Sequence, residues 1–130
     1  MKTIKQTVHF DAPPHEIFEL LMDSKKHAGF TGGRAVISRK KNGKFLAYNG
    51  WITGKNLEIV KDKKIVQLWR GADWKKDHFS KAEFKLEKKG KGCKLTFTQT
   101  GVPDEKYSHI NQGWKRQYWE KMEDYLISNA

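Results

Sequence analysis

Asp73 and His78 share a loop rich in charge and aromatic residues, Gly71–His78, and a carboxylate beside an imidazole is the material of general acid–base catalysis. Charged side chains simply solvated in a loop account for the same residues with fewer assumptions. His15-Glu16-Ile17-Phe18-Glu19 begins like the helical zinc signature H-E-x-x-H, but Glu19 stands where the second histidine belongs, so the metal reading fails. His9, His27, His78 and His109 show no ligand spacing. The single cysteine, Cys93, excludes an internal disulfide and any zinc site built on cysteine pairs. No G-x-S-x-G elbow is present, and Gly90-Lys91-Gly92 reads as a turn between strands, not a phosphate loop. The expectation is a non-enzymatic protein with no catalytic residue, no metal and no cofactor.

Aromatic side chains carry the more informative pattern. Trp51, Trp69, Phe84, Phe97, Trp114 and Tyr118, together with Met122, are candidates for lining a ligand cavity, where an indole N–H or a phenol would fix a polar end. The same rings fill a core equally well, and their bulk favours a filled core. If Trp69 points inward, Arg70 points outward, to pair with an acid or to form a contact surface. Trp74 and Trp119 fall less clearly on the buried pattern. Exposed beside basic residues, Arg70, Trp74, Arg116 and Trp119 are the candidates for docking to an acidic protein.

Net charge is +11, most of the positive charge being lysine, with arginine at Arg34, Arg39, Arg70 and Arg116. Such a balance attracts acidic partners at long range. The scarcity of arginine, the better residue for bidentate phosphate contacts, argues against nucleic acid. The N-terminus lacks the apolar stretch and cleavage pattern of a signal peptide, and no apolar run approaches the ~20 residues of a membrane span. A soluble, cytoplasmic protein without a membrane partner is expected.

The elements that must position these residues follow from periodicity. From Pro103 to Leu126, Tyr107, Ile110, Trp114, Tyr118, Met122 and Tyr125–Leu126 recur at three- and four-residue steps, the stripe of an amphipathic helix. At about 1.5 Å per residue it is roughly 35 Å long. Gly113 interrupts it, at a bend or a close backbone contact. Residues 3–10 alternate as a half-buried strand, and Pro14 begins a helix burying Ile17, Phe18, Leu20 and Leu21. Asp23-Ser24 caps a further short turn ended by Thr31-Gly32-Gly33.

Strands are then expected over Arg34–Arg39, Phe45–Thr53, Leu57–Val60, Ile65–Arg70, Phe79–Lys88 and Cys93–Thr100, with Gly50 and Gly54 at bulges or turns. Ala82, Phe84, Leu86, Leu95 and Phe97 mark a greasy sheet face, and Lys81, Glu83, Lys85, Lys94, Thr96 and Thr98 a wet one. The expected fold is α+β, in one domain over residues 1–130. A curved antiparallel sheet of about six or seven strands wraps a long C-terminal helix, with one or two short helices after the first strand.

Phe30-Thr31-Gly32, Gly43 and Phe45, Gly50-x-Ile52-x-Gly54 and Ile65-Val66-x-x-Trp69-Arg70 carry a family resemblance. It continues through Trp74, Gly101-Val102-Pro103, Gly113-Trp114 and Tyr118-Trp119. With these pieces in order over nearly the whole sequence, the chain resembles the START-like (SRPBCC), helix-grip superfamily. Within that superfamily it is most similar to the C-terminal domain of activators of the heat shock protein 90 ATPase. The resemblance implies a helix-grip fold and a co-chaperone-like role with a heat shock protein 90-type chaperone as partner. The superfamily's common device also implies an alternative: a small hydrophobic ligand held between sheet and C-terminal helix. A cyclase-like enzyme is the weaker third implication.

Overall fold

The computed structural model describes residues 1–129. The alternation over residues 3–10 becomes strand β1 (Lys2–Phe10), with Ile4 and Phe10 buried and Thr3, Lys5, Thr7 and His9 exposed. Pro13 stays extended, as a residue before proline must, and Pro14 opens α1 (Pro14–Met22). The Asp23 side chain accepts the Lys26 backbone N–H at 2.9 Å to start α2 (Ser24–Thr31), and Gly32, at φ 79°, closes it.

Six strands follow: β2 (Val36–Ile37), β3 (Lys44–Ala47), β4 (Ile52–Val60), β5 (Lys64–Gly71), β6 (Ser80–Lys89) and β7 (Gly92–Val102). They join β1 in one antiparallel sheet of order β1-β7-β6-β5-β4-β3-β2. The first two strands in sequence thus lie at opposite edges, and α1 and α2 carry the chain across between them. The C-terminal helix runs from a 3-10 turn (Asp104–Lys106) through α3 (Tyr107–Gly113), a π-helical segment (Trp114–Trp119) and α4 (Glu120–Ser128). Its inward side chains meet those of the sheet and of α1 in one contiguous core.

Two strand expectations need correction. The strand expected over Arg34–Arg39 is paired only at Val36–Ile37. The strand expected over Phe45–Thr53 is broken at Tyr48, Asn49 and Gly50, which have φ of 50°, 61° and 93° and reverse the chain between β3 and β4. Asn49 holds this turn: its backbone N–H donates to Arg34 O, and its side-chain oxygen accepts the Arg34 N–H at 2.8 Å. The expected turn at Gly54 is instead strand interior, so Thr53 and Leu57–Val60 belong to one strand, β4. A Cβ on Gly54 would lie 1.8 Å from the Leu68 carbonyl oxygen, so glycine there permits close approach of neighbouring strands.

Candidate functional site

The helix stripe is real, but its geometry changes after Gly113. In the π-helical segment one turn holds an extra residue, so side chains five apart align. Trp114 and Trp119 therefore stack, with centroids 5.5 Å apart and planes at 22°. Trp114 also touches Phe97 at 4.3 Å, Tyr118 at 4.6 Å, Trp69 at 5.5 Å and Phe84 at 5.7 Å. Phe84, Phe97 and Met122 lie in this filled part of the core, not in a cavity. The void left between Trp69, Phe84, Trp114 and Tyr118 is about 10 Å³, too small for a ligand.

Polar side chains pin the helix to the sheet. Trp114 Nε1 donates to Gln99 Oε1 at 2.7 Å, Gln99 Nε2 to Ser80 Oγ at 2.8 Å, and Ser80 Oγ to the Trp69 carbonyl at 2.9 Å. Trp119 Nε1 donates to Gln6 Oε1 at 2.6 Å, while Gln6 Nε2 donates to Asn111. Gln6 and Gln99 were not singled out from the sequence. The signal was an uncharged amide at an inward position of an alternating strand.

Tyr118 reaches the other side of the core, its hydroxyl 3.0 Å from His27 Nε2. Burial pushes the His27 imidazole down to about 4, an effect that the backbone of Leu21 and Leu20 only partly offsets, so it is neutral at neutral pH. Nδ1 of this ring has no hydrogen-bond partner among the described residues. Burial likewise raises the Tyr118 phenol well above its usual value and pushes Tyr48 up to about 12. Both phenols are therefore neutral hydrogen-bonding groups.

Where the helix enters the π-helical segment, an open cleft of about 480 Å³ separates it from the turn between β3 and β4. Trp51, Trp69, Trp114 and Tyr118, four of the expected cavity residues, line it, together with Tyr48 and Gln117. Gly113 also lines it, and a Cβ there would meet nothing within 4 Å, so this glycine leaves room and makes no close contact. Tyr48 Oη donates to the Gln117 carbonyl at 2.6 Å, tying the left-handed turn to the π-helical segment. The volume falls within the range of small-molecule pockets, roughly 300–1,000 Å³.

The residues expected at a docking face do not sit together. Trp74 and Trp119 are each only 4% exposed, so neither indole is available as a surface anchor. The π-helical segment explains Trp119: regular α-geometry would leave it beside the stripe, and the extra residue turns it in. Trp74 packs on Trp69 and beside His78. The Arg70 guanidinium donates to the carbonyls of Trp74 and Lys75, holding the loop, and pairs with no acid among the described residues. Arg116 alone of the four is exposed. Asp73 and His78 are not a pair: Asp73 meets Lys106 Nζ at 3.0 Å, and His78 Nε2 lies 2.8 Å from the Gly101 carbonyl.

Fold and sequence point to the same relatives. The family described as "Activator of Hsp90 ATPase homolog 1-like protein" matches residues 11–127. The chain belongs to this family. The activator of 90 kDa heat shock protein ATPase homolog of Dictyostelium discoideum and homolog 1 of Homo sapiens are 29% and 28% identical over 93% and 91% of the chain. The chain spans about a third of their length, 32% and 34%. The crystal structure of an HSP90 activator from Plasmodium falciparum superposes with a TM-score of 0.91 at 26% identity, covering 97% of this chain and 96% of that one. The domain of this family in the chain has the START-like, helix-grip fold.

Proposed function

We propose that this chain is a non-enzymatic docking module that binds a heat shock protein 90-type chaperone in the cytoplasm. The TM-score of 0.91 to a crystal structure of an HSP90 activator, with near-complete coverage of both chains, carries this reading. The net charge of +11 supports it by favouring encounter with an acidic partner. The proposal of no enzymatic activity is supported by the separate partners of Asp73 and His78, which leave neither poised toward the other. Isothermal titration of the chaperone with the chain tests the reading. Saturable binding that weakens with salt is expected, and no heat at high concentrations of both proteins would overturn it.

One observation favours a second reading, the binding of a small apolar ligand. The aromatic cleft is large enough, and it is bounded by a left-handed turn and a π-helical segment, both departures from regular geometry that recur at functional sites. A flat apolar dye would raise the thermal midpoint of the protein on this reading. Trp51→Ala would abolish that shift, and an unchanged midpoint in the unsubstituted protein would remove the reading.

A further inference from the structure

With Trp74 and Trp119 buried, the contact surface must lie elsewhere. The helices pack on one face of the sheet, and among the described residues no element covers the other, outer face. Register places Lys44 opposite Lys55, Lys55 opposite Leu68, and Leu68 opposite Lys81, in one row across β3 to β6. Alternation turns all four outward, because their neighbours Phe45, Trp69 and Ala82 are buried and Gly54 faces Phe45. At about 4.8 Å per strand the row is roughly 14 Å long.

Three other lysines of this face are compensated, Lys64 by Glu58, Lys85 by Glu83 and Lys89 by Glu87, while Lys5 and Lys94 lie apart from the row on β1 and β7. Lys44, Lys55 and Lys81 have no acidic partner among the described residues. Lys44 and Lys55, directly opposed, repel one another, and such a pair costs folding stability. An acidic surface laid on the row would relieve that repulsion. Beside the row, Val36 is opposite Leu46, and half-exposed Leu46 and Leu68 separate the charges with apolar contact area. Arg70, the arginine of this face, is occupied by loop carbonyls, so bidentate phosphate contacts are lacking.

We infer that the outer sheet face, centred on Lys44, Lys55 and Lys81, is the surface on which an acidic protein partner docks. This inference rests on the chaperone reading and names the side of the domain that meets the chaperone. Two triple variants of equal charge test it: Lys44→Glu/Lys55→Glu/Lys81→Glu on the sheet and Lys25→Glu/Lys115→Glu/Arg116→Glu on the helices. Amide spectra confirm that each folds, and Lys44→Glu alone should raise the thermal midpoint by removing the repulsion with Lys55.

Binding to heat shock protein 90 is expected to weaken about tenfold more for the sheet variant than for the helix variant. Equal weakening, or greater loss in the helix variant, overturns the face and leaves the chaperone reading standing. No binding by the unsubstituted chain overturns the chaperone reading and this inference with it. Tighter binding of a short DNA duplex than of the chaperone overturns the assignment to a protein partner.

Discussion

The hydroxyl of Tyr118, from the π-helical segment, lies 3.0 Å from Nε2 of His27 on α2, so the C-terminal helix and the first helical pair meet through a buried imidazole. The imidazole is held neutral by burial, with its pKa lowered from 6.5 to about 4. The unfolded chain binds this proton first, so the pair destabilises the fold as pH falls from 6.5 toward 4, and the loss levels off below that. About 3 kcal/mol of stability is lost across this window on account of His27. Urea unfolding at pH 7 and pH 4.5 should show a smaller difference for His27→Gln than for the unsubstituted chain. Equal differences would contradict the assignment.

Gln99 is fully buried and accepts the Trp114 indole N–H while donating to Ser80. Gln99→Leu keeps an apolar side chain of similar reach but leaves that indole N–H without its acceptor. A loss of about 1–3 kcal/mol is expected in denaturant titration. A change below about 0.5 kcal/mol would mean that the indole finds another partner.

Two glycines should respond in opposite directions. Gly113→Ala adds a methyl into open space on a helix and should stabilise the protein by about 0.4–1 kcal/mol. The same methyl narrows the cleft and should weaken binding of an apolar dye. Gly54→Ala drives a methyl against the Leu68 carbonyl and should destabilise the protein by about 3 kcal/mol or more. Equal stabilities for the two variants, by thermal unfolding, would contradict this account.

The Asp73–Lys106 ion pair is partly exposed and contributes little. Asp73→Asn should change stability by less than about 1 kcal/mol, and the change should shrink further in high salt. A larger loss would show that the loop depends on this contact.

The architecture was legible because its signals are local. Alternation in β6 and β7, the proline pair at the start of α1 and the Asp23 cap each act within a few residues, and each is found as expected. What escaped depends on distant partners or unusual backbone. Nothing near Trp119 announces a π-helical turn; the extra residue is held by Trp114 stacking and by Gln6, on the far edge strand. Tyr48 and Asn49 are not residues that favour positive φ strongly enough to predict a three-residue left-handed turn, and the contacts to Arg34 and Gln117 hold it. The cleft was half visible: four of its aromatic residues were named and Tyr48 was not, and three of the seven cavity candidates fill the core beneath. The basic row could not be seen at all, since register across four strands is a tertiary fact.

The central claim, chaperone docking, is tested most directly by titrating heat shock protein 90 into isotopically labelled chain and recording amide spectra at low and moderate salt. Loss of signals that starts around Lys44, Lys55 and Lys81 and recovers as salt rises is the predicted result. A spectrum unchanged at high chaperone concentration would contradict it.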